Sequence, residues 1–238
     1  MIELQPHMLA GIPQNGPTDP IEYYKRPLIG RLFRERINRG LRMLPEKRYG
    51  RVLEVGYGAG AVQLALAPSV DELHGIDLDA EPVSVSQLLA SRGVKADLRQ
   101  GSVYELPFAD ETFDCVIISE VLEHLGEDER ALTEISRVLK GGGTLAASVP
   151  RRGPELLCWA LSREYRTWPG GHIRIYRPEE LRAKLERGGY RIFKRHFAHA
   201  LHSPYWWLKC WVGLNREDDS RVKLYHRFLV WDMMQRPA

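Results

Sequence analysis

A chain of 238 residues, with 44% hydrophobic residues, 27% charged residues and a net charge of +3, has the make-up of a globular protein with one full core and appended segments. Its basic residues are spread among acidic ones, so charge excludes nucleic acid as the expected partner. Cys115, Cys158 and Cys210 lie far apart without CxxC spacing, which argues against a disulfide framework or a thiolate zinc site and for a reducing cytoplasm.

Residues 1–19 show no apolar core behind a basic leader, and no run approaches the roughly 20 apolar residues of a membrane span. The segment up to about Pro20 is rich in Pro, Gly and Asn and reads as an irregular arm. From Arg26 to Leu44 the apolar residues Leu28, Leu32, Ile37, Leu41 and Leu44 recur near helical spacing, which predicts a basic amphipathic helix ended by Pro45. Residues 1–45 therefore form an N-terminal arm and helix, and residues 46–238 one further domain.

Beyond Pro45 short apolar runs alternate with helical stretches, the pattern of βα units. Strands are expected at Arg51 to Val55, Glu72 to Asp77, Ala96 to Gln100, Phe113 to Ser119 and Thr144 to Val149. Helices fit at Gly60 to Ala67, Pro82 to Arg92 and Asp128 to Leu139, the last closed by Gly141-Gly142-Gly143. The fold class is α/β: a Rossmann-like, doubly wound, mostly parallel sheet with helices on both faces, an N-terminal helix and a C-terminal lid-like segment.

Residues 151–177 read as an inserted excursion covering the substrate. Pro178 to Gly188 predicts a helix, and Tyr190 to His199 a strand. The tail carrying Trp206, Trp207, Trp211 and Trp231 fits a last strand near Arg227 to Trp231 or a helix. Its tryptophans read as core packing, with a lid or a peripheral membrane contact as alternatives. His196 and His199 would face opposite sides of a strand, so they read as surface or packing residues rather than metal ligands.

The run Val52-Leu53-Glu54-Val55-Gly56-Tyr57-Gly58-Ala59-Gly60 is a buried strand entering a glycine-rich turn, where a ligand approaches too closely for a Cβ. Its GxGxG spacing departs from the GxGxxG of dinucleotide sites, although Ala61 stands where that fingerprint tolerates alanine. Asp77 ends the second strand, followed by Leu78, at the interval where an acid accepts hydrogen bonds from ribose hydroxyls; its charge would repel a 2′-phosphate. NAD and S-adenosylmethionine both remain allowed on these residues.

Further along, Leu106-Pro107-Phe108, then Phe113-Asp114-Cys115-Val116 running to Val121-Leu122-Glu123-His124-Leu125, then Leu139-Lys140 before the glycine run, complete an ordered set. With GxGxG and Asp77, this set resembles the class I S-adenosylmethionine-dependent methyltransferases of the type 11 group, over about residues 51–150. The resemblance implies that Glu54 and the turn Gly56, Tyr57, Gly58 and Gly60 lie along the methionine portion of S-adenosyl-L-methionine, and that Asp77 and Leu78 meet the ribose side. Ser102 and Val103 would edge the adenine, and Ser119 and Glu120 would lie near the sulfonium and a small-molecule acceptor.

Glu120, Glu123 and His124 resemble the ExxEH stretch of quinone-pathway O-methyltransferases, which implies that they border the acceptor and gather ligands for a divalent metal. His124 and His172 are candidate bases for an oxygen acceptor; helix packing and an ordinary loop position are the alternatives for each. The function expected is methyl transfer to a lipid, quinone, sugar or other metabolite. An NAD-dependent oxidoreductase and a non-catalytic nucleotide-binding scaffold are the competing readings, the first opposed by the GxGxG spacing and the second by the intact glycine turn and Asp77.

Overall fold

The computed structural model describes residues 2–16, 19–26, 29–167, 170–197, 202–214, 216 and 218–235. Its centre is a five-stranded sheet of β1 (Tyr49–Val55), β2 (Val70–Asp77), β3 (Ala96–Gln100), β4 (Phe113–Ser119) and β5 (Leu139–Ser148). The order is β3-β2-β1-β4-β5 and every pairing is parallel. Parallel strands buried on both faces need near-continuous apolar runs, and the centre of β4, Cys115-Val116-Ile117-Ile118, is such a run, with every member buried.

Alternate residues of these runs go to opposite layers. Val52, Cys115 and Ile117 join one core with α3 (Ala61–Leu66) and α4 (Pro82–Ser91), while Leu53, Val116 and Ile118 join the other with α5 (Asp128–Val138) and α8 (Pro178–Arg187). The strand order turns at β1, which lies between β2 and β4. Chains leaving the carboxyl ends of these strands diverge there and leave a crevice, the place where open α/β sheets bind ligands.

The helix expected from Arg26 to Leu44 is α2 (Ile29–Leu41), and a short helix not expected, α1 (Ile21–Lys25), precedes it. Leu28 and the side chain of Leu32 lie outside the described residues. Arg42 to Pro45 is a turn rather than helix, since Pro45 supplies no amide donor and disfavours helical backbone at Leu44.

Three expectations for the second half are corrected. The glycine run does not end α5 by itself: β5 starts at Leu139, and the register jumps from Phe113↔Leu139 to Cys115↔Thr144. The extra glycines bulge from the ladder, with Gly142 at φ +77°, a conformation that costs glycine little.

Residues 151–177 open with α6 (Arg152–Leu161) and α7 (Arg163–Arg166), and α6 buries Glu155 and Cys158, so this excursion contributes to the core. The strand expected from Tyr190 is absent among the described residues. Arg191 to Phe197 makes no ladder with either edge strand, β3 or β5, and leaves Phe193 and Phe197 exposed; an alternating pattern becomes a strand only where it packs against a neighbour. His199 lies outside the described residues.

The tail forms α9 (His202–Val212) and α10 (Ser220–Gln235), which settles the strand-or-helix alternative near Trp231 as helix. Trp206 and Trp207 are half-buried, and Trp207 Nε1 donates to the Pro154 carbonyl at 3.0 Å. Trp211 and Trp231 remain 64% and 58% exposed, so core packing does not account for them. Among the described residues no helix is long and apolar enough to cross a membrane.

Asp128 fastens the excursion to the sheet. It is buried at the first turn of α5 and accepts from Tyr176 Oη at 2.5 Å and Lys184 Nζ at 2.7 Å, with Arg174 as a further ion partner. Although its burial opposes the charge, these three donors together hold the carboxyl below the usual range. The chain from Arg174 to Lys184 is thereby tied beside the loop that follows β4.

Candidate active site

At the carboxyl end of β1 the chain turns through Gly56, Gly58 and Gly60 at φ +81°, +49° and +77°, where a side chain would be strained. Space forbids one as well: a Cβ on Gly56 would stand 2.6 Å from Val121 Cγ2, and one on Gly60 2.8 Å from Val85 Cγ1. The glycines thus let β1, β4 and α4 approach one another and leave bare backbone facing the crevice.

Asp77 locks this turn to the end of β2. Its Oδ2 accepts from the Gly58 amide at 2.9 Å, and its Oδ1 from the amides of Asp79 and Ala80, both at 3.0 Å. A carboxylate offers about four lone-pair sites, so roughly one remains for a ligand hydroxyl. Leu78 beside it is 66% exposed, and its carbonyl accepts from Gln100 Nε2 at 3.1 Å. Val103 is buried, and Ser102 Oγ accepts from the Tyr104 amide at 3.2 Å. Leu78, Ser102 and Val103 therefore follow the ends of β2 and β3.

Two expected contacts are narrowed. The Tyr57 side chain is buried against β2, where a Cβ on Gly75 would stand 2.7 Å from its ring, so only its backbone belongs to the turn. Burial raises the Tyr57 phenol, whose oxygen has no hydrogen-bond partner. Glu54 is buried beneath the turn and accepts from Gln63 Nε2 at 3.0 Å. Burial, with the Asp77 charge adding to it, pushes its carboxyl well above the usual range.

After β4, Glu120 adopts φ +56°, an uncommon conformation for a residue with a side chain and a frequent mark of a functional turn. Its Oε1 accepts from Ser148 Oγ at 2.8 Å, and its Oε2 lies 3.3 Å from Arg36 Nη1. Ser119 Oγ is 2.9 Å from Ser148 Oγ. Glu120 is therefore engaged with α2 and β5 and stands outside the carboxylate and imidazole cluster that follows.

That cluster joins Glu123, His124 and His172, which offer ligand atoms within 4.8 Å of one another. It replaces the expected Glu120, Glu123 and His124 set: the turn at Glu120 sends its carboxylate toward Arg36, while Gly170 to Ile173 brings His172 in. The Ile173 amide donates to the Glu123 carbonyl at 3.1 Å, and His124 Nδ1 lies 3.2 Å from the Gly171 carbonyl. Because a carbonyl only accepts, His124 Nδ1 carries the proton and Nε2 faces Glu123.

His172 Nδ1 is 2.6 Å from Glu155 Oε1, and Tyr165 Oη donates to the other Glu155 oxygen at 3.3 Å. Glu155 is buried on α6. A buried carboxylate on one imidazole nitrogen fixes the ring and leaves the second nitrogen as the base, the arrangement of an oriented general base. Here that second nitrogen, Nε2, lies 3.9 Å from Glu123 Oε1.

Glu123 is fully buried and neither carboxyl oxygen has a hydrogen-bond partner. Burial, with the Glu120 charge adding to it, pushes its pKa up to about 9, so it is neutral at pH 7. Burial, with the neighbouring His172 ring adding to it, lowers His124 below the usual histidine value.

The folded state keeps a proton on Glu123 that an unfolded chain releases above its ordinary pKa of 4.5. Stability is therefore lost as pH rises from there through about 9. We expect the melting temperature to fall across this window and Glu123→Gln to flatten the fall. Equal slopes for the two proteins by differential scanning fluorimetry would remove this account.

Sequence reasoning missed Asn15, Asp19, Arg36 and Glu155. Asn15 Nδ2 donates to the Gly58 carbonyl at 3.1 Å, and its Oδ1 accepts from the Glu81 amide at 3.0 Å. Asp19 Oδ1 stands 3.2 Å from where a Gly58 Cβ would be. The arm therefore lies on the glycine turn, and nothing local at residues 15 and 19 signals a contact 43 and 39 positions away. Glu155 did carry a signal, as a lone acid beside Leu156, Leu157 and Cys158.

Residues 53–147 match the family described as a methyltransferase domain. The chain is 38% identical over 95 residues to the uncharacterized methyltransferase YcgJ of Bacillus subtilis, covering 39% of this chain and 38% of that one. It is 35% identical over 141 residues to the ubiquinone biosynthesis O-methyltransferase of Dechloromonas aromatica, covering 55% of this chain and 60% of that one.

The chain thus spans less than two thirds of the length of these curated relatives. The crystal structure of YcgJ superposes with a TM-score of 0.55 at 28% identity, covering 76% of this chain and 78% of that one. The expected Rossmann-like methyltransferase fold is borne out.

Proposed function

We propose that this chain, whose residues 53–147 match the methyltransferase-domain family, transfers a methyl group from S-adenosylmethionine to an oxygen of a small-molecule acceptor. The observation that carries the reading is the turn of three left-handed glycines bonded through the Gly58 amide to Asp77. Bare backbone and one remaining carboxylate site, set where β1 and β2 end, suit a nucleoside with its ribose on Asp77 and its amino-acid portion along Gly56 to Gly60. Leu78 and Val103 would flank the adenine, with Ser102 at its edge.

S-adenosylmethionine, when bound, supplies a methyl group activated for in-line displacement, so the protein mainly aligns the partners. His172 Nε2, with its ring held by Glu155, would take the acceptor's proton. Neutral Glu123 would keep that pocket free of a competing negative charge. The relative named for ubiquinone biosynthesis supports oxygen as the acceptor atom. The three cysteines, all buried and free, fit a reducing cytoplasm.

The test is calorimetric titration with S-adenosylmethionine and, separately, NADH. Saturable binding of the first alone is expected. Binding of NADH alone would turn the reading to a dinucleotide oxidoreductase, and binding of neither to a scaffold.

A further inference from the structure

A second cavity, of about 500 Å³, lies between α2 and the extended segment that was expected to be a strand, lined by Glu35, Arg39, Arg42, Met43, Lys194, Arg195 and His196. Of its four cations, Arg39 pairs with Glu35 at 2.8 Å, and Arg42 pairs with Glu35 and with Glu3. Among the described residues neither Lys194 nor Arg195 has an acidic partner; the Arg195 guanidinium instead lies 5.2 Å from the Phe197 ring centroid. Four cations against Glu35 and Glu3 leave a surplus of two positive charges around one open cavity, a field that attracts anions.

The donors are arranged rather than merely crowded. Arg39 Nη1 lies 3.2 Å from His196 Nε2. Since a guanidinium only donates, Nε2 accepts and His196 Nδ1 carries the proton. Arg42 Nε is buried without a partner, although both terminal nitrogens of that residue are engaged. Lys194 and Arg195 line this cavity together with Arg39 and Arg42, so an anion between them relieves their mutual repulsion.

We propose that this cavity binds a phosphate-type dianion, a phosphomonoester or diphosphate, between Arg39, Lys194 and Arg195. A dianion balances the surplus of two charges, whereas a single carboxylate does not. Arginine forks also match oxygens of phosphate in bidentate fashion. The proposal stands independently of methyl transfer, since none of its residues belongs to the glycine turn or to the Glu123 cluster. The phosphate can come from a soluble metabolite or from a phospholipid headgroup.

The experiment is calorimetric titration of the full chain with inorganic pyrophosphate at low ionic strength, alongside sedimentation with phosphatidic acid and phosphatidylcholine vesicles. Saturable pyrophosphate binding is expected, weakened about tenfold or more in Lys194→Gln/Arg195→Gln with S-adenosylmethionine binding unchanged. Should that double variant melt below the wild type, Arg39→Gln reads the same loss from the opposite wall.

Binding of pyrophosphate without vesicle sedimentation assigns a soluble ligand. Sedimentation with phosphatidic acid only, competed by pyrophosphate, assigns a headgroup. No binding to either probe, or binding indifferent to these substitutions, overturns the proposal.

Discussion

Replacing His172 with alanine is expected to lower kcat by about 10²- to 10⁴-fold, the range over which a positioned general base contributes, while S-adenosylmethionine affinity stays unchanged. The expectation rests on geometry: Glu155 Oε1 at 2.6 Å holds Nδ1, and Nε2 is left free. Glu155→Ala should reproduce the larger part of the loss through the freed ring. His124→Ala should cost less, because its Nδ1 is held by the Gly171 carbonyl, with no buried carboxylate such as the one that orients His172.

A divalent cation held by Glu123, His124 and His172 makes a contrasting prediction from the same three residues. Those ligand atoms lie within 4.8 Å of one another, and mixed carboxylate and imidazole sets accept zinc or related ions. A cation there would draw the proton from Glu123, whose two orphaned oxygens would gain a partner. Under that reading His124→Ala would be as damaging as His172→Ala, and chelation would abolish a turnover that added zinc restores. Chelator-insensitive turnover with unequal histidine effects leaves the base reading standing, and a turnover indifferent to His172 removes both.

The carboxyl edge of the sheet was legible because its elements announce themselves locally. β3 and β4 run from Ala96 to Gln100 and from Phe113 to Ser119 as expected, β4 as an apolar run and β3 as an alternation of Ala96 and Leu98 with Asp97 and Arg99. Asp77 was legible from its interval after the glycines. The start of β5 was not, because a glycine run serves equally as a helix stop and as a bulge, and only pairing with Phe113 decides between them.

Residues 191–197 failed differently. Alternation predicts a strand only where the segment reaches a neighbouring edge, and Arg191 to Phe197 pairs with neither β3 nor β5, the two edges of the described sheet. The placement of Asn15 on Gly58 and of Glu155 on His172 is tertiary, so spacing along the chain carries almost no trace of it. The metal set illustrates the same limit: ExxEH is contiguous and easily seen, yet the left-handed turn at Glu120 removes its first acid and His172 enters from 48 positions beyond His124.

Asp77→Ala is expected to raise the dissociation constant for S-adenosylmethionine by about ten- to a hundredfold, since one charge-assisted hydrogen bond is worth roughly 1.5 to 3 kcal/mol. Two losses combine. The ribose hydroxyl loses its acceptor, and the amides of Gly58, Asp79 and Ala80 lose the carboxylate that now fixes them, so the glycine turn loosens before any ligand arrives. Asp77→Asn separates little from alanine, because its amide group would point a donor at another donor on one side or the other.

Discrimination therefore comes from Leu78→Ala. That exposed side chain supports no neighbour's hydrogen bond except through its backbone, so its removal should leave the melting temperature unchanged while weakening nucleoside binding severalfold by lost apolar contact. Calorimetry on both variants decides the matter. If Asp77→Ala binds S-adenosylmethionine as the wild type does, the ribose is held elsewhere and Asp77 only braces the turn. If Leu78→Ala alone retains full affinity, the nucleoside lies off the ends of β2 and β3, and the adenine placement falls while the ribose contact stands.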